Sequence, residues 1–248
     1  MEKVVLVTGG SRGIGAAAAI LAADAGYDVA VNYRSDGPAA ERVVGQIEAR
    51  GRRAIAIQAD VGAPDQIPPL FEAVDAEFGR LDALVNNAGI VSPVSRLDVM
   101  EAARIERILR INVVGAMLCA REAVRRMSTR HGGRGGVIVN VSSAAARLGS
   151  PGEFVDYAAS KGAIDSFTLG LAKEVADERI RVNAVRPGLI ETEIHDSAGV
   201  PDRVERMAPG VPVKRAGTAD EVAEALVWLI SDRSSYVTGA LLDVSGGR

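Results

Sequence analysis

Short apolar runs alternate with longer segments of helical period along this chain, and that alternation limits its possible folds most strongly. Segments with apolar residues at three- and four-residue intervals predict helices that begin near Ser11, Pro38, Pro64, Arg96, Val155 and Thr218. Runs rich in valine and isoleucine predict seven strands, Val4–Val7, Val29–Asn32, Ala54–Gln58, Ala83–Asn86, Val137–Ser142, Arg181–Val185 and Leu241–Val244. Such alternation implies right-handed crossovers, so we expect an α/β protein with a seven-stranded parallel sheet covered by helices on both faces.

The chain shows no proline- or glycine-rich linker and no internal repeat, so we expect residues 1–248 to form a single domain. The segment near 189–213 breaks the alternation after the sixth strand. An insertion there would lie over the carboxyl ends of parallel strands, which is typical of a substrate lid. His195, inside this segment, is interpreted as a solvated loop residue, with a substrate contact as the alternative.

Composition narrows the function classes. A net charge of −3 gives no electrostatic reason to expect nucleic acid or an anionic membrane, so a small-molecule substrate is the expected partner. The sequence shows no signal-peptide pattern and no apolar stretch near the roughly 18 residues of a membrane span, which predicts a cytoplasmic protein. A single cysteine, Cys119, excludes an intrachain disulfide, and with only two histidines we expect no metal site.

A glycine-rich loop, Thr8 to Gly15, lies between the first strand and an alanine-rich helix. Three glycines spaced in this way let the backbone turn sharply and approach a pyrophosphate, whose charge the helix N-terminus favours. The loop alone leaves an ordinary tight turn as the alternative. As a nucleotide site it would contribute Gly9, Ser11, Arg12, Gly13, Ile14 and Gly15.

The residues after the second strand bear on cofactor choice. Asn32, Tyr33 and Arg34 occupy the place where an NAD-preferring site usually offers an acid to the ribose 2′-hydroxyl. Arg34 together with Arg12 suits a 2′-phosphate, so we expect a preference for NADP(H). Asp36 lies two residues further on and leaves use of NAD(H) open.

Residues after the third and fourth strands complete this expected cofactor site. Asp60 and Val61 are suited to an adenine amino group and its ring. Asn87, Ala88 and Gly89 are small enough to let a backbone approach the cofactor closely, although the asparagine could equally cap the segment that follows.

A tyrosine and a lysine four residues apart, Tyr157 and Lys161, share one face of a predicted helix. A free tyrosine has a pKa of about 10, and a neighbouring ammonium would lower it toward the range of a useful acid or base. Ser143 could hydrogen-bond a reacting oxygen, and Asn112 is a polar residue inside an apolar helix. Taken singly, these residues are equally compatible with a surface pair, a strand end and a structural asparagine.

Taken together, the motifs resemble the ordered set of the short-chain dehydrogenase/reductase family, classical type, over essentially the whole chain. The matching motifs are Thr8-Gly-Gly-Ser-Arg-Gly-Ile-Gly15, Asn86-Asn-Ala-Gly89, Asn112, Ser143, Tyr157-x-x-x-Lys161 and Arg186-Pro-Gly188. Within the family, the segments Val29–Ser35 and Tyr157–Gly162 most resemble bacterial glucose-dehydrogenase-like and 3-oxoacyl-carrier-protein-reductase-like members. The resemblance implies a Rossmann fold and a homodimer or homotetramer.

The resemblance also implies roles for single residues. Tyr157 would donate and accept the proton, and Lys161 would hold the nicotinamide ribose and depress the pKa of the tyrosine. Ser143 would bind the substrate oxygen, and Asn112 would hold a water that links Lys161 to solvent. The nicotinamide carboxamide would be positioned by Pro187, Gly188, Ile190 and Thr192.

One departure concerns the serine. Ser143 lies 14 residues before Tyr157, one more than in many relatives, and Ser142 is therefore a second candidate. The expected activity is transfer of a hydride between NADP(H) and a secondary alcohol or ketone of sugar, polyol or 3-oxoacyl type. A non-catalytic nucleotide sensor or scaffold and an isomerase or dehydratase on the same fold remain as alternatives.

Overall fold

The computed structural model describes residues 2–193 and 198–248 and contains a seven-stranded sheet with the order β3-β2-β1-β4-β5-β6-β7. All six neighbouring pairs are parallel. The strands are β1 Lys3–Val7, β2 Tyr27–Tyr33, β3 Ala54–Gln58, β4 Ala83–Asn86, β5 Gly136–Val141, β6 Ile180–Pro187 and β7 Leu241–Val244. The prediction of a seven-stranded parallel sheet is confirmed, and each strand lies within two residues of its predicted position.

Helices cover both faces of this sheet, which confirms the predicted three-layer, doubly wound architecture. They are α1 Gly13–Asp24, α2 Gly37–Glu48, α3 Ile67–Phe78, α4 Ala102–Leu109, α5 Ala116–Met127, α6 Ala145–Leu148, α7 Val155–Glu174, α8 Arg203–Met207 and α9 Ala219–Ile230. Buried side chains of α1, α2 and α9 form one hydrophobic core with the sheet, and those of α3 and α5 form a second on the opposite face.

The central strand, β1, shows why the strands appear in the sequence as continuous apolar runs. Val5 and Val7 of β1 point into the first core, and Val4 and Leu6 point into the second, all at most 2% exposed. A strand that is buried on both faces has no polar side for alternation to reveal. The hydrophobic runs therefore predicted a central parallel sheet correctly.

Helix starts follow local capping chemistry. The Asp36 carboxylate accepts a hydrogen bond from the Ala39 backbone at 3.0 Å and caps α2. Thr218 and Glu221 form a capping box at the start of α9, where the sequence predicted a helix to begin.

The helix predicted from Arg96 is wrong in its first turn and in its regularity. A 3₁₀ turn spans Leu97–Val99, α4 begins only at Ala102, and the chain is π-helical over Arg110–Gly115 before α5 begins. The cause is tertiary, because a Cβ on Gly115 would lie 2.4 Å from the Val61 carbonyl oxygen. The backbone at Gly115 therefore lies close to the chain that follows β3.

Three further expectations concern membrane spans, metal sites and the single cysteine. Within 2–193 and 198–248, no helix is long and apolar enough to cross a membrane. The same stretch holds no group of three or more histidine, cysteine, aspartate or glutamate side chains that could bind a metal ion. Cys119 is a fully buried side chain in the second core.

Candidate active site

The candidate site lies where the order of the sheet reverses. β1 and β4 are neighbours, and the chain continues from β1 toward β2 and β3 on one side and from β4 toward β5, β6 and β7 on the other. The loops after β1 and β4 therefore separate at the carboxyl edge and leave a crevice, which is the usual ligand site of such sheets. Two connected pockets lie in this crevice and share Ile14, Asn87, Gly89, Val91 and Thr192 in their walls.

The first of these two pockets is lined by the glycine-rich loop, and the second by Tyr157, Ser143 and Lys161. Gly9 and Gly13 adopt positive φ angles of 62° and 51°, which glycine adopts without steric cost. A Cβ on Gly15 would lie 2.3 Å from the Gly9 carbonyl oxygen and 2.5 Å from Nδ2 of Asn87. The sequence of the loop is thus fixed by close backbone packing at the start of α1.

Thr8 and Asn87 tie the loop to the end of β4. The Thr8 hydroxyl oxygen accepts hydrogen bonds from the backbone N–H groups of Asn87 and Ala88, each at 3.0 Å. Nδ2 of Asn87 donates to the Thr8 carbonyl oxygen at 2.9 Å and to that of Gly9 at 3.1 Å. The sequence alone does not assign a role to the Thr8 side chain, because only the pairing of β1 with β4 shows which groups its hydroxyl faces.

The adenosine end of the pocket has the two arginines expected there. Arg12 and Arg34 are exposed at its wall, and neither guanidinium is engaged in an ion pair within the described residues. Asp36 lines the same wall, but its carboxylate caps α2. The charged side chains with donors left for a ligand are therefore the arginines.

Asn32 lines the same pocket but is only 2% exposed. Its Nδ2 donates to the Ala59 carbonyl oxygen at 3.0 Å, and its Oδ1 accepts from the Gly9 backbone N–H at 3.3 Å. Its side chain thus supports the glycine loop from below.

The structure brings together all the predicted cofactor residues at the walls of the two pockets. The first pocket has Gly9, Ser11, Arg12, Gly13, Ile14, Gly15, Asn32, Tyr33, Arg34, Asp60, Val61, Asn87, Ala88 and Gly89. The second has Tyr157, Lys161, Pro187, Gly188, Ile190 and Thr192, together with Ser143. The segment 189–213 supplies part of the second wall, while residues 194–197, including His195, lie outside the described residues.

Lys161 lies at the inner end of the second pocket on α7. Its Nζ donates to the Val141 carbonyl oxygen at 2.7 Å and lies 5.7 Å from the centroid of the Tyr157 ring. Burial lowers the pKa of Lys161 to about 8, and the negative charge of Asp165 opposes that shift. Asp165 in turn pairs with Arg186 at 2.8 Å, which ties α7 to β6.

Tyr157 shares its pocket with Ser143. Burial raises the pKa of Tyr157, and a hydrogen bond with the Ser143 side chain opposes that rise. The protein's own residues therefore leave the phenol protonated near neutral pH.

The two serines have different partners. The Ser142 hydroxyl is 1% exposed and donates to the Lys161 carbonyl oxygen at 3.2 Å. The Ser143 hydroxyl oxygen accepts from the Ala145 backbone N–H at 3.1 Å, and the Ser143 side chain lines the same pocket as Tyr157. The long interval before Tyr157 is taken up by α6 and by a turn in which Gly149 and Gly152 have positive φ angles.

Asn112 does not line either pocket. Its Oδ1 accepts from the Ile90 backbone N–H at 2.8 Å, and its Nδ2 donates to the Ile90 carbonyl oxygen at 2.9 Å and to the Ser160 hydroxyl at 3.1 Å. A Cβ on Gly89 would lie 3.4 Å from both Asn112 Oδ1 and Lys161 Nζ. The asparagine therefore packs beside the lysine, with its side chain committed to holding the chain after β4.

Comparison with known proteins agrees with this arrangement. A family model described as enoyl-(acyl carrier protein) reductase matches residues 9–248. An uncharacterized oxidoreductase of Escherichia coli strain K12, YgfF, is 54% identical over 245 residues, which cover 99% of each chain.

Solved structures superpose on nearly the whole chain. A short-chain dehydrogenase of Burkholderia cenocepacia in complex with NADP has a TM-score of 0.89 and 38% identity, covering 99% of this chain and 97% of that one. A 3-ketoacyl-(acyl-carrier-protein) reductase of Brucella melitensis with NADH has a TM-score of 0.91 and 34% identity, covering 99% and 98%. With its motifs in order around one crevice, this chain belongs to the short-chain dehydrogenase/reductase family of NAD(P)-dependent oxidoreductases.

Proposed function

We propose that this protein is an NADP(H)-preferring oxidoreductase that transfers a hydride between nicotinamide and a secondary alcohol or ketone. The carrying observation is that Tyr157, Ser143 and Lys161 line one pocket, with the lysine Nζ 5.7 Å from the tyrosine ring centroid, and that this pocket joins the pocket over the glycine loop. A sugar, a polyol or a 3-oxoacyl compound offers the required carbonyl or hydroxyl group.

The residues of the first pocket fit a dinucleotide. Glycine at positions 9 and 15 lets the loop pack closely on itself and on the chain after β4, and a phosphate over the loop meets backbone N–H groups at the start of α1. Arg12 and Arg34 supply donors for a 2′-phosphate, while the carboxylate of Asp36 is used as a helix cap. These contacts favour NADP(H) over NAD(H). To bind the ribose hydroxyl of NAD(H), the Asp36 carboxylate would have to give up the hydrogen bond that caps α2.

A bound nicotinamide supplies or accepts the hydride. During reduction the Tyr157 hydroxyl donates a proton to the substrate oxygen, and the Ser143 hydroxyl holds that oxygen in place. Lys161, with a pKa of about 8, is largely charged at neutral pH and stabilises the tyrosinate that forms. In the oxidation direction the same groups act in reverse, with Tyr157 as the proton acceptor.

The arrangement also bears on the alternative functions. A sensor or scaffold has no need for a buried lysine next to a tyrosine at the end of the cleft, since burying the charge destabilises the fold. An isomerase or dehydratase could use the same tyrosine, but it would produce no net oxidation of the cofactor.

The proposal also includes a substrate lid, the assembly of the chain and the cellular setting of the protein. The lid proposed for segment 189–213 is supported by Leu189, Ile190, Thr192 and Arg203, which line the pocket. Copies of the chain assemble through exposed apolar side chains such as Leu109 in a homodimer or homotetramer. The protein works in the cytoplasm on a small molecule, in a chain that forms a single domain.

The cofactor assignment is tested by measuring the affinities of NADPH and NADH by fluorescence titration, followed by a screen of ketones and sugars at constant cofactor. We expect Arg34→Gln to weaken NADPH by about tenfold or more, because a charge-assisted contact is worth about 1.5–3 kcal/mol, and to leave NADH unchanged. Arg42→Gln, an exposed arginine on α2, provides the charge-matched control. Equal affinities of the unmodified protein for both cofactors would overturn the preference.

A further inference from the structure

Arg203 places a second buried cation in the wall of the pocket that holds Tyr157 and Ser143. It is the first residue of α8, only 9% exposed, and far from both in sequence. The mechanism derived above gives it no role. Sequence reasoning passed over it because a single arginine in a polar stretch carries no motif.

The guanidinium of Arg203 is only partly paired. Its Nη2 donates to Oε2 of Glu153 at 2.7 Å, and its carbon lies 5.0 Å from the centroid of the Phe154 ring. Its Nη1 is buried and has no hydrogen-bond partner among the residues that the structure describes. A buried donor without an acceptor destabilises the fold, and more so when the group is charged, so this edge of the guanidinium is left in need of an acceptor.

The charged groups around Arg203 favour an acceptor with a negative charge. Among the described residues that line this pocket, Lys161, Arg203 and Arg248 are cationic, and none is an aspartate or glutamate. The hydrogen bond from Arg203 and the positive charges of Arg203, Arg206 and Arg248 lower the pKa of Glu153, which therefore stays ionised and offsets only part of the cluster. Apolar side chains, Leu148, Phe154 and Leu189, form other parts of the wall. The pocket thus offers a proton donor, apolar contacts and a net positive charge.

We propose that the substrate of this enzyme carries a carboxylate, separated by a short apolar chain from the reacting carbonyl or alcohol, and that Arg203 binds this carboxylate. The inference rests on the proposed function, because Tyr157 marks the reacting end. A planar carboxylate matches the donor fork of a guanidinium, and its single charge suits one arginine that is already half neutralised by Glu153. The substrate class is therefore short oxo acids and the corresponding hydroxy acids.

The test measures binding to the NADPH-saturated Tyr157→Phe protein, in which turnover is blocked. The probes are 3-oxobutanoate, 4-oxopentanoate and 5-oxohexanoate, each compared with its methyl ester by isothermal titration calorimetry. We expect at least one acid to bind about tenfold or more tightly than its ester, as a charge-assisted contact implies. The preference should disappear in Arg203→Gln and persist in Arg206→Gln, an exposed arginine on the same helix.

A second variant separates substrate binding from a purely structural clamp between α8 and the loop before α7. Glu153→Gln removes the competing charge and frees Nη2, so we expect the acids to bind at least as tightly as before. If Arg203 only fastened α8 to Glu153, this variant would lose affinity for acid and ester alike, as Arg203→Gln would.

Two results would overturn the inference, namely equal binding of acids and esters, or tighter binding of dihydroxyacetone phosphate than of any acid. Neither result depends on catalysis. Reduction of the neutral esters by the unmodified enzyme with NADPH tests the proposed function separately, so the two failures can be told apart.

Discussion

Adjacent serines at the end of β5 show how much of the site depends on single side chains. Ser142 bonds the backbone of α7, whereas Ser143 lines the pocket together with the reacting tyrosine. Spacing alone left both serines as candidates, because the turn at Gly149 and Gly152 that absorbs the longer interval is not visible as such in the sequence. Residue types could be predicted from the motifs, but the partner of each hydroxyl could not.

Substitution of each serine separates these roles. Ser143→Ala removes a hydrogen bond to the reacting oxygen, so we expect kcat to fall by about 10²-fold with little change in stability. Ser142→Ala removes a buried hydrogen bond to the Lys161 carbonyl, so we expect the free energy of unfolding to fall by about 1 kcal/mol and kcat to change less than tenfold. Steady-state kinetics and urea unfolding check both, and the opposite pattern would assign the substrate contact to Ser142.

The glycine loop is the element on which cofactor binding depends, and the sequence predicted its place correctly. What the sequence could not show is the set of hydrogen bonds that holds the loop in place. Thr8, Asn32 and Asn87, at the ends of three different strands, make these bonds. The π-helical stretch Arg110–Gly115 was missed for a similar reason. Its cause is contact with Val61 and Ile90, residues distant in sequence, and local periodicity carries no record of such contacts.

Two glycine-to-alanine changes compare this loop with an ordinary helix. In Gly15→Ala the new Cβ would lie 2.3 Å from the Gly9 carbonyl oxygen, so we expect the loop to shift and NADPH affinity to fall by about tenfold or more. In Gly45→Ala, inside α2, a Cβ meets nothing within 4 Å, so we expect a gain of about 0.5–1 kcal/mol in stability and unchanged affinity. Fluorescence titration and thermal unfolding measure the two effects. Unchanged NADPH binding by Gly15→Ala would contradict the packing argument.

At the scale of the molecule, the architecture was predictable because helices cover both faces of the sheet and every neighbouring pair of strands is parallel. The same burial has an energetic cost at the carboxyl edge. Lys161 is 4% exposed, and desolvation holds its pKa at about 8, below its ordinary value of 10.5. The folded protein therefore carries a charged group in a place that disfavours the charge.

This cost predicts a pH dependence of stability. Between pH 8 and 10.5 the unfolded chain binds more protons at this lysine than the folded protein does, so its contribution to stability rises with pH through that window. Relative to Lys161→Met, we expect the unmodified protein to gain up to about 3 kcal/mol in unfolding free energy across this window. Lys173→Met, an exposed lysine on the same helix, serves as the control. Parallel pH curves for the unmodified protein and Lys161→Met would contradict the burial argument.

The central claim is that Tyr157 delivers the proton in a hydride transfer from a nicotinamide. It is tested most directly by reduction of a ketone found in the screen, with NADPH deuterated at the transferable position of C4, by the unmodified protein, by Tyr157→Phe and by the control Tyr236→Phe, whose ring is fully exposed. We predict one deuterium on the carbinol carbon of the product, a rate reduced about 10²–10⁴-fold in Tyr157→Phe at unchanged NADPH affinity, and a normal rate in Tyr236→Phe. Product without deuterium, or full turnover by Tyr157→Phe, would contradict the claim.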